Sequence, residues 1–510
     1  MKKVLRPTGG AILDIDSLEL GDQFLSLAQN VHTRKGFPSR INGRRVAYPV
    51  SSGHLPNVPL HLLNLFLNTF NWWLSFGASD IYAIEGSNSY DVSYSGQHTV
   101  TDTEDWTSTL LNDIPVFTNG HDPLLYWNGD GSSNADVVPD WPVGSTCRVI
   151  VAYKFHLFAL NIDEASGTFT NKIMWSDAAE PGALPASWTP GADNEAGSAI
   201  LADVVGECIA GLPLGAQLLV YKPTAVYPIE YAGQQPDNIF VVRPSIRSIG
   251  ALGPHCVRIF GRLGDRHLVL GNDDVVIFDG INAQSVAEDR VKYSIANSID
   301  STYARNSFLI HNQNRKEVWV CIPESGSQFA TLAHIWDYAH DTWVTRDLNN
   351  VTYGTTGYVQ DETPSNTWNS HTEVWDSNPA AWNAGETGSI PRVVIPESNY
   401  LYVEDTADLT AYDARITRND LTFDDETQFK LIQRITVNGA GDGLDDLQIR
   451  LGKRNSTEEA ITWYPFVTRL PDGNPYEISG RFISLEIFSD GEELWTVDRI
   501  TIQGRYNGSY

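Results

Sequence analysis

Five basic residues crowded together, Arg34, Lys35, Arg40, Arg44 and Arg45, stand out in a chain of formal net charge −28. Guanidinium and ammonium groups in such a cluster bind nucleic-acid phosphates by displacing counterions, or dock an acidic partner. The same groups serve equally as ion-pair partners for neighbouring carboxylates or across a subunit contact, and both uses stay open at this level. Elsewhere the residue types that do chemistry lack the spacing that would assemble it. His32, His121, His156, His255, His267, His311 and His334 are scattered among strands and turns without ligand spacing, which reads as structural and predicts no metal. With 63 Asp and Glu residues, a chance carboxylate pair of the glycosidase kind is unavoidable and identifies nothing. H-E-x-x-H, G-x-S-x-G, a P-loop and G-x-G-x-x-G are all absent. The reading is a non-enzymatic protein with no catalytic residues and no cofactor.

The charge balance argues against a sequence-reading DNA binder with a broad basic face, because the surface repels phosphate. The four cysteines, Cys147, Cys208, Cys256 and Cys321, are far apart and sit in apolar contexts such as V-W-V-C-I. They are expected as buried free thiols in a protein made in a reducing cytosol. Lys2, Lys3 and Arg6 precede Asp14, Asp16 and Glu19 and no apolar signal core, so secretion by that route is not expected. The most apolar stretch, 55–76, is broken by His61, Asn64, Asn68 and Asn71 and gives no membrane span. The run Ala339-His340-Asp341-Thr342-Trp343 resembles the aspartate-box turn of sialidases but lacks its Ser and Gly. It is expected to be structural, with Asp341 closing a hairpin through its own backbone and Trp343 packing between blades.

The elements that would hold any site are short strands. Eleven per cent aromatics with 41 Gly and 26 Pro, against 19% charged residues, favours an all-β fold with few helices. Strand-and-turn units recur from Trp72, Val116, Arg148, Gln217, His267 and Glu317, and several end in an aromatic followed by Asn, Asp or Gly: Trp127-Asn128, Phe278-Asp279, Trp336-Asp337. Such units suit the blades of a β-propeller, which hide their apolar faces against one another. The organisation expected is an N-terminal platform segment over 1–49, a β-propeller over 50–350 and a linker over 351–391. A C-terminal β domain over 392–510, a platform or nozzle built as a sandwich, completes it. Trp127, Trp175, Trp188, Trp336 and Trp343 are the expected packing anchors.

An ordered series of matches adds a family. The opening F-L-S-L-A-Q-N-V-H-T-R-K-G-F-P-S-R from Phe24 resembles the "N-V-x-x-R-x-G-x-x-x-R" start of the tail nozzle, tail hub or tail tubular proteins of short-tailed bacteriophages, also called packaged-DNA stabilisation proteins. T-N-G-H-D-P from Thr118, W-S-D-A-A-E-P-G-A-L-P-A-S-W from Trp175 and L-L-V-Y-K-P-T-A-V-Y from Leu218 follow in the same order. The series closes with V-V-I-F-D-G from Val275 and W-D-Y-A-H-D-T-W from Trp336, and the likeness covers roughly residues 24–348. The resemblance implies a structural virion protein: a homohexameric, acidic channel in the phage tail that retains packaged double-stranded DNA and conducts it during ejection. It implies portal-adaptor ring proteins and tail spike or fibre proteins as partners, synthesis in the host bacterial cytoplasm, and the five basic residues as DNA- or adaptor-contacting groups. The alternatives are a glycan-binding or glycan-cleaving propeller, suggested by abundant Trp and carboxylates, and a trimeric receptor-binding fibre component.

Overall fold

Short apolar runs separated by Gly, Asn and Asp set the local structure. Thr107–Leu111 and Ile114–Thr118 pair antiparallel across Asn112 and Asp113. Both turn residues take left-handed backbone, φ 51° and 65°, the conformation of a two-residue turn whose twist matches the strands it joins. The computed structural model describes residues 1–33, 36–47, 54–68, 70–86, 88–102, 106–233, 239–247, 249–261, 263–359, 391–406 and 410–509. Most of the expected 351–391 linker lies outside the described residues.

The described residues form a seven-bladed β-propeller joined to a β-sandwich. Blades one to five are meanders over 61–91, 107–137, 146–200, 210–247 and 257–285. The sixth comprises Phe308–Asn312, Glu317–Ile322, Ala330–Asp337 and Thr342–Val351. The seventh is assembled from distant parts of the chain: Thr355–Gly357, Arg392–Glu397 and Tyr400–Thr406, closed on its outer edge by Gly43–Val46 through Val403↔Arg45 and Thr406↔Gly43. The propeller therefore extends beyond the 50–350 span expected. Residues 392–406, expected in the C-terminal domain, and 43–46, expected in the platform segment, are blade strands. A half-buried strand alternates identically in a blade and in a sandwich, so pattern alone does not assign it.

First strands line the axis and touch their neighbours around the ring from Thr107–Leu111 to Thr355–Gly357 and on to His61–Leu67. The seam between blades seven and one is tight. A Cβ on Gly357 would lie 2.5 Å from the Trp73 indole. That indole and the Asn71 amide both donate to the Tyr358 carbonyl, at 2.9 and 2.8 Å. Between blades, aromatic and branched side chains are buried in successive clusters, each fully buried one contributing about 1.5–3 kcal/mol by leaving water.

The sandwich and the sixth blade share a ten-stranded sheet. Its bridge is the three-residue strand Leu27–Gln29, parallel to Thr342–Val351 at Gln29↔Thr345 and antiparallel to Ala414–Leu421. Asn30, at φ 54° and buried, secures the junction: its amide donates to Asp413 O and Asp347 Oδ2, and its Oδ1 accepts from the Asp347 amide. Phe482–Ser489 and Gln448–Arg454 continue this sheet. The opposing sheet comprises Gln428–Ala440, Asn474–Gly480 and Thr496–Ser509, with Lys2–Leu5, Val31–His32 and Ser39–Arg40 added from the N-terminal segment. Ile432, Ile435, Ile449, Leu485 and Ile500 lie in the core that runs unbroken into the propeller. Among the described residues the one α-helix is Lys292–Ser298, and no helix is long and apolar enough to cross a membrane.

Candidate functional site

Among the buried polar groupings inside this frame, two bear on a site. The first is on the propeller axis. First strands and their approaches from six blades line a half-open cavity of about 320 Å³ that includes His61, Ser108, His255, Arg258 and Tyr353 in its lining. His61 opens the first strand of blade one and Ser108 lies near the start of that of blade two; their side chains meet at 2.8 Å, Nε2 to Oγ. The His61 ring stacks on His255 at 5.0 Å and lies 4.6 Å from the Tyr353 ring. Burial, reinforced by His255 and Arg258, holds the His61 imidazole well below its ordinary range, so it is neutral. Arg258 donates from Nη2 to Tyr353 Oη at 2.6 Å and from Nε to Leu309 O at 3.0 Å. It also lines a second axial space of about 340 Å³ with Asn312, Asn314 and Thr356.

The second place is the buried junction of blades six and seven with the N-terminal segment. His32 lies between two carboxylates, Nε2 at 2.9 Å from Asp405 Oδ1 and Nδ1 at 2.9 Å from Glu317 Oε1, the latter an ion contact out of line for a hydrogen bond. Arg346 pairs with Glu404 and stands 3.8 Å from Asp405, its guanidinium over the Trp319 ring at 4.7 Å. Arg315 reaches Asp405 at 3.4 Å and completes a set of three cations and three carboxylates. Burial disfavours the charged His32. The two carboxylates prevail and push its pKa up to about 9. For Asp405, burial is likewise outweighed, by His32 first, and its carboxyl stays below the usual range.

The pH dependence follows. His32 has a folded pKa above the unfolded value near 6.5, so its contribution is complete below about pH 6.5 and is lost as pH rises toward about 9. His61, His267 and His334 are lowered by burial and act in the opposite sense, losing stability below about pH 6.5. Urea unfolding across pH 6–9 is expected to show a decline that His32→Gln abolishes. A slope unchanged in the variant would remove His32 from this role.

Of the five basic residues, Arg34 and Lys35 lie outside the described residues. Arg40 faces inward: 2% exposed, it donates to the carbonyls of Glu492, Thr410 and Gly491 and so pins the sandwich loops. Burial places it out of reach of DNA or an adaptor in this chain. Arg44 pairs with Glu397 and lies 4.2 Å over the Tyr402 ring. Arg45 stands on the closing strand opposite Val403. All five tryptophans are buried. Trp127 meets Trp72 edge-on at 5.1 Å, Trp188 meets Trp141 at 4.8 Å, and Trp336 stacks on Trp343 at 6.2 Å. Trp175 packs between blades three and four, and Trp343 donates to Val286 O of blade five.

The turn at 337–341 differs from expectation in one respect. Asp337, not Asp341, accepts the turn amides of Ala339 and His340, while Asp341 takes left-handed backbone and receives the Trp336 indole N–H. The four cysteines are buried and free. No group of three or more His, Cys, Asp or Glu among the described residues is placed to hold a metal. The axial set His61, Ser108, Arg258 and Tyr353 was not legible as a site, since its members are 47 to 292 residues apart along the chain; only the alignment of first strands, blade on blade, would reveal it.

No family model matches the chain, and no curated protein matches it. Among solved structures it is similar to PorZ, a surface component of the type IX secretion system of Porphyromonas gingivalis, at 10% identity and a TM-score of 0.37. That match covers 77% of this chain and 44% of PorZ, so the chain spans less than half of that protein's length. It is also similar to the Pan2 WD40 domain of Neurospora crassa, at 8% identity and TM-score 0.37 over 72% of this chain and 96% of that one. The N-terminal domain of Nup159 matches at 10% and 0.36 over 74% and 99%.

Proposed function

We propose that this chain is a structural subunit of a short-tailed phage tail, a nozzle that forms a ring of six around a DNA channel, retains the packaged genome and conducts it at ejection. The observation that carries the reading is the ten-stranded sheet that makes propeller and sandwich one body. A conduit wall under the pressure of packaged DNA needs subunits without a hinge, and a shared sheet with a shared core supplies that. The ordered sequence matches over 24–348 support the same reading. So does the net charge of −28, because a phosphate-repelling wall avoids the counterion-release binding that would hold DNA in place. In this reading the partners are the portal-adaptor ring above, spikes or fibres alongside, and duplex DNA within. Six acidic subunits must offset their mutual repulsion through large, well-paired interfaces.

Native mass spectrometry of the purified chain, with cryo-microscopy of the assembled particle, tests this. A sixfold ring with an axial opening is the expected result. A chain that stays monomeric and takes no place in a sixfold tail ring overturns it. Glycan cleavage by paired carboxylates finds no support in the axial cavity, whose described lining contains neither Asp nor Glu.

A further inference from the structure

We infer that the propeller axis is a binding site for a small oxyanion of the phosphate or carboxylate class, held by the Arg258 guanidinium together with His61 and Tyr353. In a chain where Asp and Glu outnumber Lys and Arg by 63 to 35, neither axial space has a carboxylate in its described lining. Arg258 borders both. Its bonds go to neutral oxygens, Leu309 O at 3.0 Å, Val257 O at 3.3 Å and Tyr353 Oη at 2.6 Å, and no ion pair to it is formed among the described residues. Three of its five N–H groups are thereby committed and two are left for a ligand. A guanidinium presented to a cleft without a counter-charge is the group that recognises planar or tetrahedral oxyanions by paired hydrogen bonds.

A second observation points the same way. His61 is 4% exposed, and its Nδ1 has no hydrogen-bond partner. The proposed site takes the tautomer in which the Ser108 hydroxyl donates to Nε2 and the neutral ring holds its proton on Nδ1, which then offers a buried donor to the anion. Tyr353 Oη accepts from Arg258 and keeps its own O–H to donate. The donor set is thus cationic or neutral throughout, and acceptors that would repel an anion are confined to hydroxyl, amide and backbone oxygens. The cavity of about 320 Å³ has room for inorganic phosphate or a small dicarboxylate and not for a polymer.

The site is independent of the nozzle reading and is measured on the isolated full-length chain. Isothermal titration with inorganic phosphate and, separately, succinate, at constant ionic strength in a chloride buffer, is expected to give saturable one-site binding for at least one of them. Arg258→Gln is expected to weaken that binding at least about tenfold, with Arg258→Lys intermediate, since an ammonium keeps the charge and loses the fork. His61→Phe removes the Nδ1 donor, and a smaller loss is expected. Thermal unfolding run alongside identifies any variant that fails to fold. In that event a crystal of the wild-type chain soaked in selenate decides, with an anomalous peak beside Arg258 expected. No saturable binding of either anion up to about 10 mM, Arg258→Gln binding like wild type, or a selenate peak only elsewhere overturns the inference.

Discussion

Arg346→Met is expected to lower the unfolding free energy by about 3–5 kcal/mol, because it strands buried carboxylates without their counter-charge. The Arg346 side chain is 2% exposed and that of Glu404 3%. The guanidinium fits between the Trp319 and Tyr412 rings, at 4.7 and 5.5 Å. Burial pushes the Glu404 carboxyl up even with Arg346 beside it, so the pair stands at the margin of what its geometry supports. Arg346→Lys is expected to recover only part of the loss, since an ammonium cannot lie flat between two rings. The double variant Arg346→Met with Glu404→Leu is expected to be more stable than Arg346→Met alone, because the second change removes the unpaired charge. Urea unfolding of the three variants measures this. A cost below about 1 kcal/mol for Arg346→Met would show that water reaches the carboxylates and that the network is not sealed.

The second large effect is expected at the ring seam. Trp73→Ala should cost about 3–5 kcal/mol, by vacating the space of a fully buried indole. It also takes one of two donors from the Tyr358 carbonyl. The contact is local to blades one and seven, so hydrogen exchange in the first strand of blade one should accelerate more than in blade four. Equal acceleration across all blades would mean that the seam has no separate role. Gly357→Val, which drives a branched side chain into the same indole, is expected to give the same pattern.

Much of this fold is legible in the chain. Blades one to six follow the strand-and-turn grammar, since period-two alternation and Asn, Asp and Gly at turns are local properties. The Trp127 and Trp336 blade ends announce themselves because an aromatic before a polar turn packs on the adjacent blade, here the preceding one. What is not local is not legible. The seventh blade needs Gly43–Val46 beside Tyr400–Thr406, and no periodicity records which distant edge a strand will meet. The basic cluster misleads for a related reason: charge in a sequence reads as surface, yet Arg40 ends inside, because three carbonyls exposed by two loops need a donor that reaches all of them. His32 reads as one scattered histidine, and only the folding of Glu317 and Asp405 around it makes it a cation. The axial set is hidden in the same way, one residue to a strand.

The closure of the seventh blade carries a cost in time. Thr406 donates from its hydroxyl to the Gly43 carbonyl, 363 residues away. At about 5–20 residues per second, the strand that completes the ring leaves the ribosome roughly 20–70 s before its partner exists. Throughout that interval Gly43–Val46, and with it Leu27–Gln29 awaiting Ala414–Leu421, is an open strand edge on a growing polypeptide. Neither ring nor sandwich can close until synthesis is nearly finished, so neighbouring nascent chains on one message are the nearest competitors for those edges.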